Sequence, residues 1–137
     1  GFSVVKDIYK SDLYKLSEWR NENLPSFSAI KVKEVIPKNI ITKEPTAELK
    51  EDQKDSDSLP PYDVLDKILY LLVEKESSIN EIISKGYEPS LVTKVQNLLY
   101  NSEYKRRQAA PGVKISERNF GYDRRYPITN AFRDKEK

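Results

Sequence analysis

Neither cysteine nor histidine occurs in the 137 residues. Without cysteine there can be no disulfide, thiolate zinc site or thiol nucleophile. Without histidine the usual general base at neutral pH and the commonest metal ligand are both missing. Glycine is scarce. Its four positions (Gly1, Gly86, Gly112 and Gly121) never fall close together, so no Gly-rich phosphate loop can be built. The longest apolar run, Ile68 to Val73, is far too short to span a bilayer, and the start shows no signal-peptide pattern. An excess of one charge is also lacking, since 24 Lys and Arg face 22 Asp and Glu for a net of +2. No global field therefore calls for nucleic acid or an acidic membrane. These absences predict a soluble, cytoplasmic chain that is poorly equipped for catalysis by itself. Methionine is absent too, and the chain opens abruptly into Phe2-Ser3-Val4-Val5. That run reads as a buried strand with no earlier element to pair with, and predicts a segment of something larger.

Enough apolar content is present to fold, at 37% of residues against 34% charged. Ser11 reads as an N-cap with Asp12 in the first turn, and Leu13, Leu16 and Trp19 recur at helical spacing. Residues 1–22 are thus expected to hold a strand and a helix, the helix over 11–22. Pro25 and Pro37 bound an irregular connection, after which Ile40 and Ile41 suggest a short apolar strand. Residues 44–58 carry Glu44, Glu48, Glu51, Asp52, Asp55 and Asp57 with no helical or strand period. They read as a long acidic loop, either a linker or a lid that orders over a ligand.

Residues 62–104 are expected to form a helical subdomain of three amphipathic helices. Val64, Leu65, Ile68, Leu69 and Leu72 form the face of the first, running to about Glu76. Ile79, Ile82 and Ile83 mark the second, stopped by Gly86 in the left-handed region. Pro89 opens the third, faced by Leu91, Val92, Val95, Leu98 and Leu99. Residues 105–137 then change character, with ten basic against four acidic residues, a local net of +6. Pro, Gly and aromatic residues interrupt any period there, so an extended tail lying against another surface is expected.

Three places can carry chemistry. Glu103-Tyr104-Lys105-Arg106-Arg107 at a helix end is either favourable charge at the dipole or an anion clamp with bidentate Arg. Lys43 and the Thr46 hydroxyl can contact a polyphosphate, or be a solvated Lys and a capping Thr. Lys10 lies on the turn into the first helix, where backbone N–H groups favour an anion. The tail's Phe120, Tyr122 and Tyr126 can also stack single-stranded nucleic acid, although no recognised nucleic-acid motif is present.

Taken together these residues resemble a family. Gly1-Phe2, Lys6-Asp7, Tyr9-Lys10-Ser11 and Leu16-Ser17-Glu18-Trp19-Arg20-Asn21 look like a stretch of bacterial NAD⁺ synthetase. Lys43-Glu44-Pro45-Thr46-Ala47-Glu48-Leu49, then Asp55 to Tyr62 with Leu65-Asp66, and Glu103 to Gln108 with Pro111-Gly112 continue the likeness. Phe120-Gly121, Asp123-Arg124-Arg125 and Pro127-Ile128-Thr129-Asn130 are similar to the glutamine-dependent, two-domain form. The likeness covers nearly the whole chain.

The resemblance implies an α/β fold. The chain would be the C-terminal part of a Rossmann-like ATP-pyrophosphatase domain, this segment being mostly α-helical with long loops. It implies a ligase in which ATP adenylates the nicotinate carboxylate of deamido-NAD⁺, releasing pyrophosphate. Glutamine-derived ammonia then displaces AMP to give NAD⁺. Carried over residue by residue, Lys105 and Tyr104 contact deamido-NAD⁺, with Lys105 a buried ammonium beside the nicotinate carboxylate. Tyr104 stands where the short enzymes have His. Lys10, Thr46 and Lys43 lie on the ATP side, and the acidic loop becomes a lid. The family's phosphate loop, its Mg²⁺ carboxylates and its glutaminase triad would all lie upstream, so no residue here is assigned to bond-making or metal ligation. The resemblance implies a homo-oligomer whose substrate site draws on a partner subunit. Two rivals stand beside it: a truncated non-catalytic remnant, and a small basic nucleic-acid-binding protein.

Overall fold

The faces formed by Leu65, Ile68 and Leu72, by Ile79 and Ile82, and by Val92, Val95 and Leu99 recur at helical spacing and converge in space. In a computed structural model, which describes residues 1–43 and 59–135, these eight side chains and Val73 form the buried apolar core. Six helices carry the described chain: α1 (Lys10–Glu22), α2 (Lys38–Thr42), α3 (Tyr62–Val73), α4 (Ile79–Ser84), α5 (Pro89–Asn101) and α6 (Glu103–Gln108). The contacts divide into two units, one of residues 9–62 and one joining 1–8 to 63–137.

In the larger unit each boundary has a local cause. Helix α3 stops at Val73, short of the expected Glu76, because Glu76 takes a positive φ of 49° and the chain turns there. Helix α4 is started by a capping box. The Ser78 hydroxyl accepts from the Glu81 N–H at 3.3 Å, and the Glu81 carboxylate accepts from the Ser78 N–H at 2.7 Å. Such a reciprocal pair satisfies two orphan donors of the first turn. Ser78→Ala is expected to lower stability by about 1 kcal/mol, read as a shift in denaturant midpoint at unchanged m-value. Gly86 leaves α4 with a φ of +94°, the left-handed stop that the pattern called for. Pro89 occupies the first turn of α5, while Glu88 caps it by accepting from the Ser90 and Leu91 N–H groups at 3.0 and 2.7 Å.

The first expected strand is not formed. Among the described residues there is no strand, and Ser3 makes a single isolated parallel bridge to Gly112. The Ser3 N–H donates to the Pro111 carbonyl at 2.8 Å, and Phe2, Val4 and Val5 stay exposed. A strand needs a row of backbone partners, and one bridge does not supply it. The approach is close at Gly112, where a Cβ would collide with the Ser3 carbonyl oxygen. The tail is not extended from Lys105 either, because the helical turn resumes as α6 after Ser102 and ends at Gln108.

In the smaller unit α1 begins at Lys10 rather than Ser11, since the Tyr9 carbonyl already accepts from the Leu13 N–H at 2.9 Å. Ser11 is therefore not the cap. No residue of α1 is buried, and Leu16 and Trp19 are each 47% exposed. Ile40 and Ile41, expected as strand, lie in the single turn of α2, opened by Pro37 at φ −56°. Here the turn hydrogen bonds Ile40 N–H to Pro37 carbonyl and Lys43 N–H to Asn39 carbonyl, both 3.0 Å, override β-branched propensity. Asn21 at the end of α1 holds the connection by both ends of its amide: Nδ2 donates to the Ile36 carbonyl at 2.7 Å, and Oδ1 accepts from the Ile36 N–H at 2.9 Å. The expected acidic lid loop, 44–58, lies outside the described residues.

Candidate functional site

The end of α5, the short α6 and the tail form one polar junction. Glu103, the first residue of α6, is only 2% exposed although it carries a carboxylate. Buried carboxylates persist where they are paired. The Arg106 guanidinium lies 2.7 Å away through Nη2 and the Arg107 Nε at 3.6 Å. Burial pushes the Glu103 acid upward, but the hydrogen bond and charge of Arg106 outweigh it and the group titrates below its ordinary value. Arg106 also donates to the Leu99 carbonyl at 2.7 Å and to the Ser102 hydroxyl at 2.9 Å, satisfying the C-terminal end of α5. Arg107 reaches the tail, donating to the Tyr126 carbonyl at 2.7 Å.

Aromatic rings close the other side. Tyr100 stacks on Tyr126 at 4.5 Å between centroids, and the Arg124 guanidinium lies 5.0 and 4.9 Å from the two rings. Burial, reinforced by the Tyr126 hydrogen bond, pushes the Tyr100 phenol up to about 12. Arg133 completes the junction by donating to Asn97 Oδ1 at 3.1 Å and Asn101 Oδ1 at 2.9 Å. Of the three rings proposed to stack single-stranded nucleic acid, Tyr126 is engaged with Tyr100, Phe120 is half-buried, and only Tyr122 is more than half exposed. An open stacking platform is therefore not formed.

Farther along the tail, Asp7 gathers residues distant in sequence. Its carboxylate accepts from the Ile115 N–H at 2.7 Å, the Ser116 N–H at 2.8 Å and the Ser116 hydroxyl. Lys6 donates to the Ala110 carbonyl at 2.7 Å. Asn119, 2% exposed, organises the next turn by accepting from the Gly121 N–H at 2.7 Å and the Tyr122 N–H at 3.1 Å.

The residues singled out in the sequence fall in two groups. Tyr104 and Lys105 sit on α6 in the larger unit, both exposed, with Tyr104 at 44%. The buried ammonium expected at Lys105 is thus not found within this chain, because Glu103 and Arg106 take the inward positions of the helix and leave Lys105 outward. Lys10 and Lys43 lie in the smaller unit. Lys10 is at the first position of α1 with its Nζ 5.8 Å from the Tyr62 ring, and Lys43 is the exposed C-cap of α2. Thr46 is outside the described residues. A groove of about 620 Å³ runs along α5, lined by Glu88, Thr93, Lys94, Asn97 and Leu98 among others, and includes neither Tyr104 nor Lys105.

Residues 1–109 match the family described as NAD synthase. The chain belongs to the NAD synthase family. It is 48% identical over 134 residues to the glutamine-dependent NAD(+) synthetase of Thermotoga maritima, covering 98% of this chain and 22% of that protein. To the glutamine-dependent NAD(+) synthetase of Xylella fastidiosa it is 49% identical over 135 residues, covering 97% of this chain and 23% of the relative. A solved glutamine-dependent NAD⁺ synthetase of Acinetobacter baumannii, in complex with ADP, superposes with a TM-score of 0.55 at 38% identity, covering 96% of this chain and 21% of that one. The chain thus spans less than a quarter of the length of these relatives. Among the described residues no helix is long and apolar enough to cross a membrane.

Proposed function

We propose that this chain supplies the C-terminal part of the synthetase domain in a glutamine-dependent NAD⁺ synthetase, a cytoplasmic ligase that amidates deamido-NAD⁺ at the expense of ATP. The observation that carries the reading is near-half identity to glutamine-dependent synthetases along almost the entire segment, through both α6 and the tail. The domain would be the Rossmann-like ATP-pyrophosphatase fold, with this segment its helical end and residues 44–58 its lid. The solved relative carries ADP, which supports nucleotide binding, and the likeness of their motifs is what assigns Lys10, Lys43 and Thr46 to the nucleotide side.

In the proposed reaction a nicotinate carboxylate oxygen attacks the α-phosphorus of ATP, and the bond to pyrophosphate breaks. Ammonia from glutamine then adds to the acyl carbon, loses a proton, and expels AMP. Both steps concentrate negative charge, and fixed cations are the means of stabilising it. Lys105 presents an ammonium on the open face of α6, where it can pair with the nicotinate carboxylate, and Tyr104 offers an aromatic surface beside it. A substrate lying over α6 would bury that ammonium, with a partner subunit of a homo-oligomer forming the opposite wall. Mg²⁺ would supply neutralisation of the phosphate charge in the proposed chemistry. Among the described residues no group of three or more acidic side chains could hold a metal.

Lys105→Ala in the full-length protein bearing this segment is expected to raise the KM for deamido-NAD⁺ while leaving the KM for glutamine unchanged. A hydrogen bond between charged groups contributes about 1.5–3 kcal/mol, or roughly 10- to 150-fold in affinity. Steady-state kinetics with each substrate varied checks it, and an unchanged KM for deamido-NAD⁺ overturns the site assignment.

A further inference from the structure

Helix α6 has six residues, too few for its own hydrogen bonds to hold it rigid. Its direction must be set from outside. Residues three and four apart share a helix face, so Glu103, Arg106 and Arg107 lie together while Tyr104 and Lys105 fall on the other side. The Glu103 carboxylate sits under the helix and Arg106 clamps it at 2.7 Å while reaching back to the Leu99 carbonyl, also at 2.7 Å. Arg107 links the same carboxylate at 3.6 Å to the Tyr126 carbonyl at 2.7 Å. Arg106 thus ties the helix to α5 and Arg107 ties it to the tail, and the two arginines share a single buried acid. The Lys105 N–H donates to the Ser102 carbonyl at 3.0 Å, so its backbone is carried with this arrangement.

Apolar side chains replacing the whole Glu103–Arg106 pair would pack here about as stably, because desolvating an ion pair offsets most of its attraction. A buried acid here serves orientation better than stability. We propose that Glu103 is a positioning residue which, through Arg106 and Arg107, sets the direction in which α6 presents Tyr104 and Lys105 to the dinucleotide carboxylate. The inference rests on the assignment of Lys105 given above.

The test uses the full-length protein bearing this segment, with deamido-NAD⁺, ATP and glutamine varied separately. Glu103→Gln keeps the shape and removes the charge, and is expected to raise the KM for deamido-NAD⁺ about tenfold, with kcat and the KM for ATP within about twofold. Glu103→Asp keeps the charge at shorter reach and is expected to give an intermediate KM. A Glu103→Gln enzyme whose KM is unchanged overturns the proposal. So does one in which kcat, every KM and the melting temperature move together, as a merely structural role would have it. Should Glu103→Gln fail to fold, Arg107→Gln, at a side chain 46% exposed, leaves the core untouched. That variant is expected to raise the same KM about threefold, and an unchanged value overturns the proposal as well. Lys105→Ala separates the two readings. If it is silent, the assignment of Lys105 fails. If it raises the KM while Glu103→Gln does not, the positioning role alone fails.

Discussion

Asp7→Ala is expected to destabilise the larger unit by about 2–4 kcal/mol, a large effect for one substitution. The carboxylate is 7% exposed and receives the backbone N–H groups of Ile115 and Ser116 together with the Ser116 hydroxyl. Its removal strands two backbone donors, each worth about 1–3 kcal/mol when left without a partner. Ile115 is 64% exposed, so water can reach part of the site and the loss should fall short of the full sum. Thermal or denaturant unfolding of the full-length protein would check it, and a loss below about 0.5 kcal/mol would mean the tail is not held by Asp7.

The same carboxylate predicts a pH dependence. Burial raises its pKa, but the donors from Ser116 and Ile115 outweigh burial, and the net shift is below the ordinary 3.8. A folded-state pKa below the unfolded one means stability that is complete above the unfolded value and lost as pH falls through the folded one. The gap between wild type and Asp7→Ala should therefore be full at neutral pH. It should shrink only as the solution is acidified below about 4.

Ile82→Ala is expected to cost about 3 kcal/mol, within the usual range of about 2–5 for truncating a buried isoleucine. Ile79 and Ile82 are both 0% exposed and carry the packing of α4 against α5. With six residues, α4 is too short to persist without that packing, capping box or not. Hydrogen exchange should then show the α4 amides losing protection before those of α3 and α5. Retained protection at α4 would mean that the cap, rather than the core, sustains this helix.

The helices of the larger unit could be read from the chain because their signals are local. Aliphatic residues at helical spacing, Gly86 at a positive φ and Pro89 at a helix start each act within a few residues, and the buried set matches the expected faces. Leu98 alone of those faces is exposed, at 42%, while Val64, Leu69, Ile83 and Leu91 are half-buried and Val73 is buried outside them. The strand readings failed for the opposite reason. Phe2 to Val5 and Ile40-Ile41 have strand-like residues, but a strand depends on a partner that propensity does not specify. At the site, the run Glu103 to Arg107 stood out in the sequence as charge at a helix end. Nothing local said that Glu103 would be buried while Lys105 stayed open, since that follows from how α6 rotates against α5 and the tail.

Composition alone kept thiol and imidazole chemistry out of these 137 residues, and the spacing of aliphatic residues established the helical core. Both follow from residue identity and short-range periodicity. The pairing of Asp7 with Ile115 and Ser116, and of Arg107 with Tyr126, spans up to 109 positions of chain. Contacts so distant are chosen by which buried donor must be satisfied once the core has formed. Folding, not spacing, therefore made a buried anchor of one acid and an outward-facing cation of one lysine.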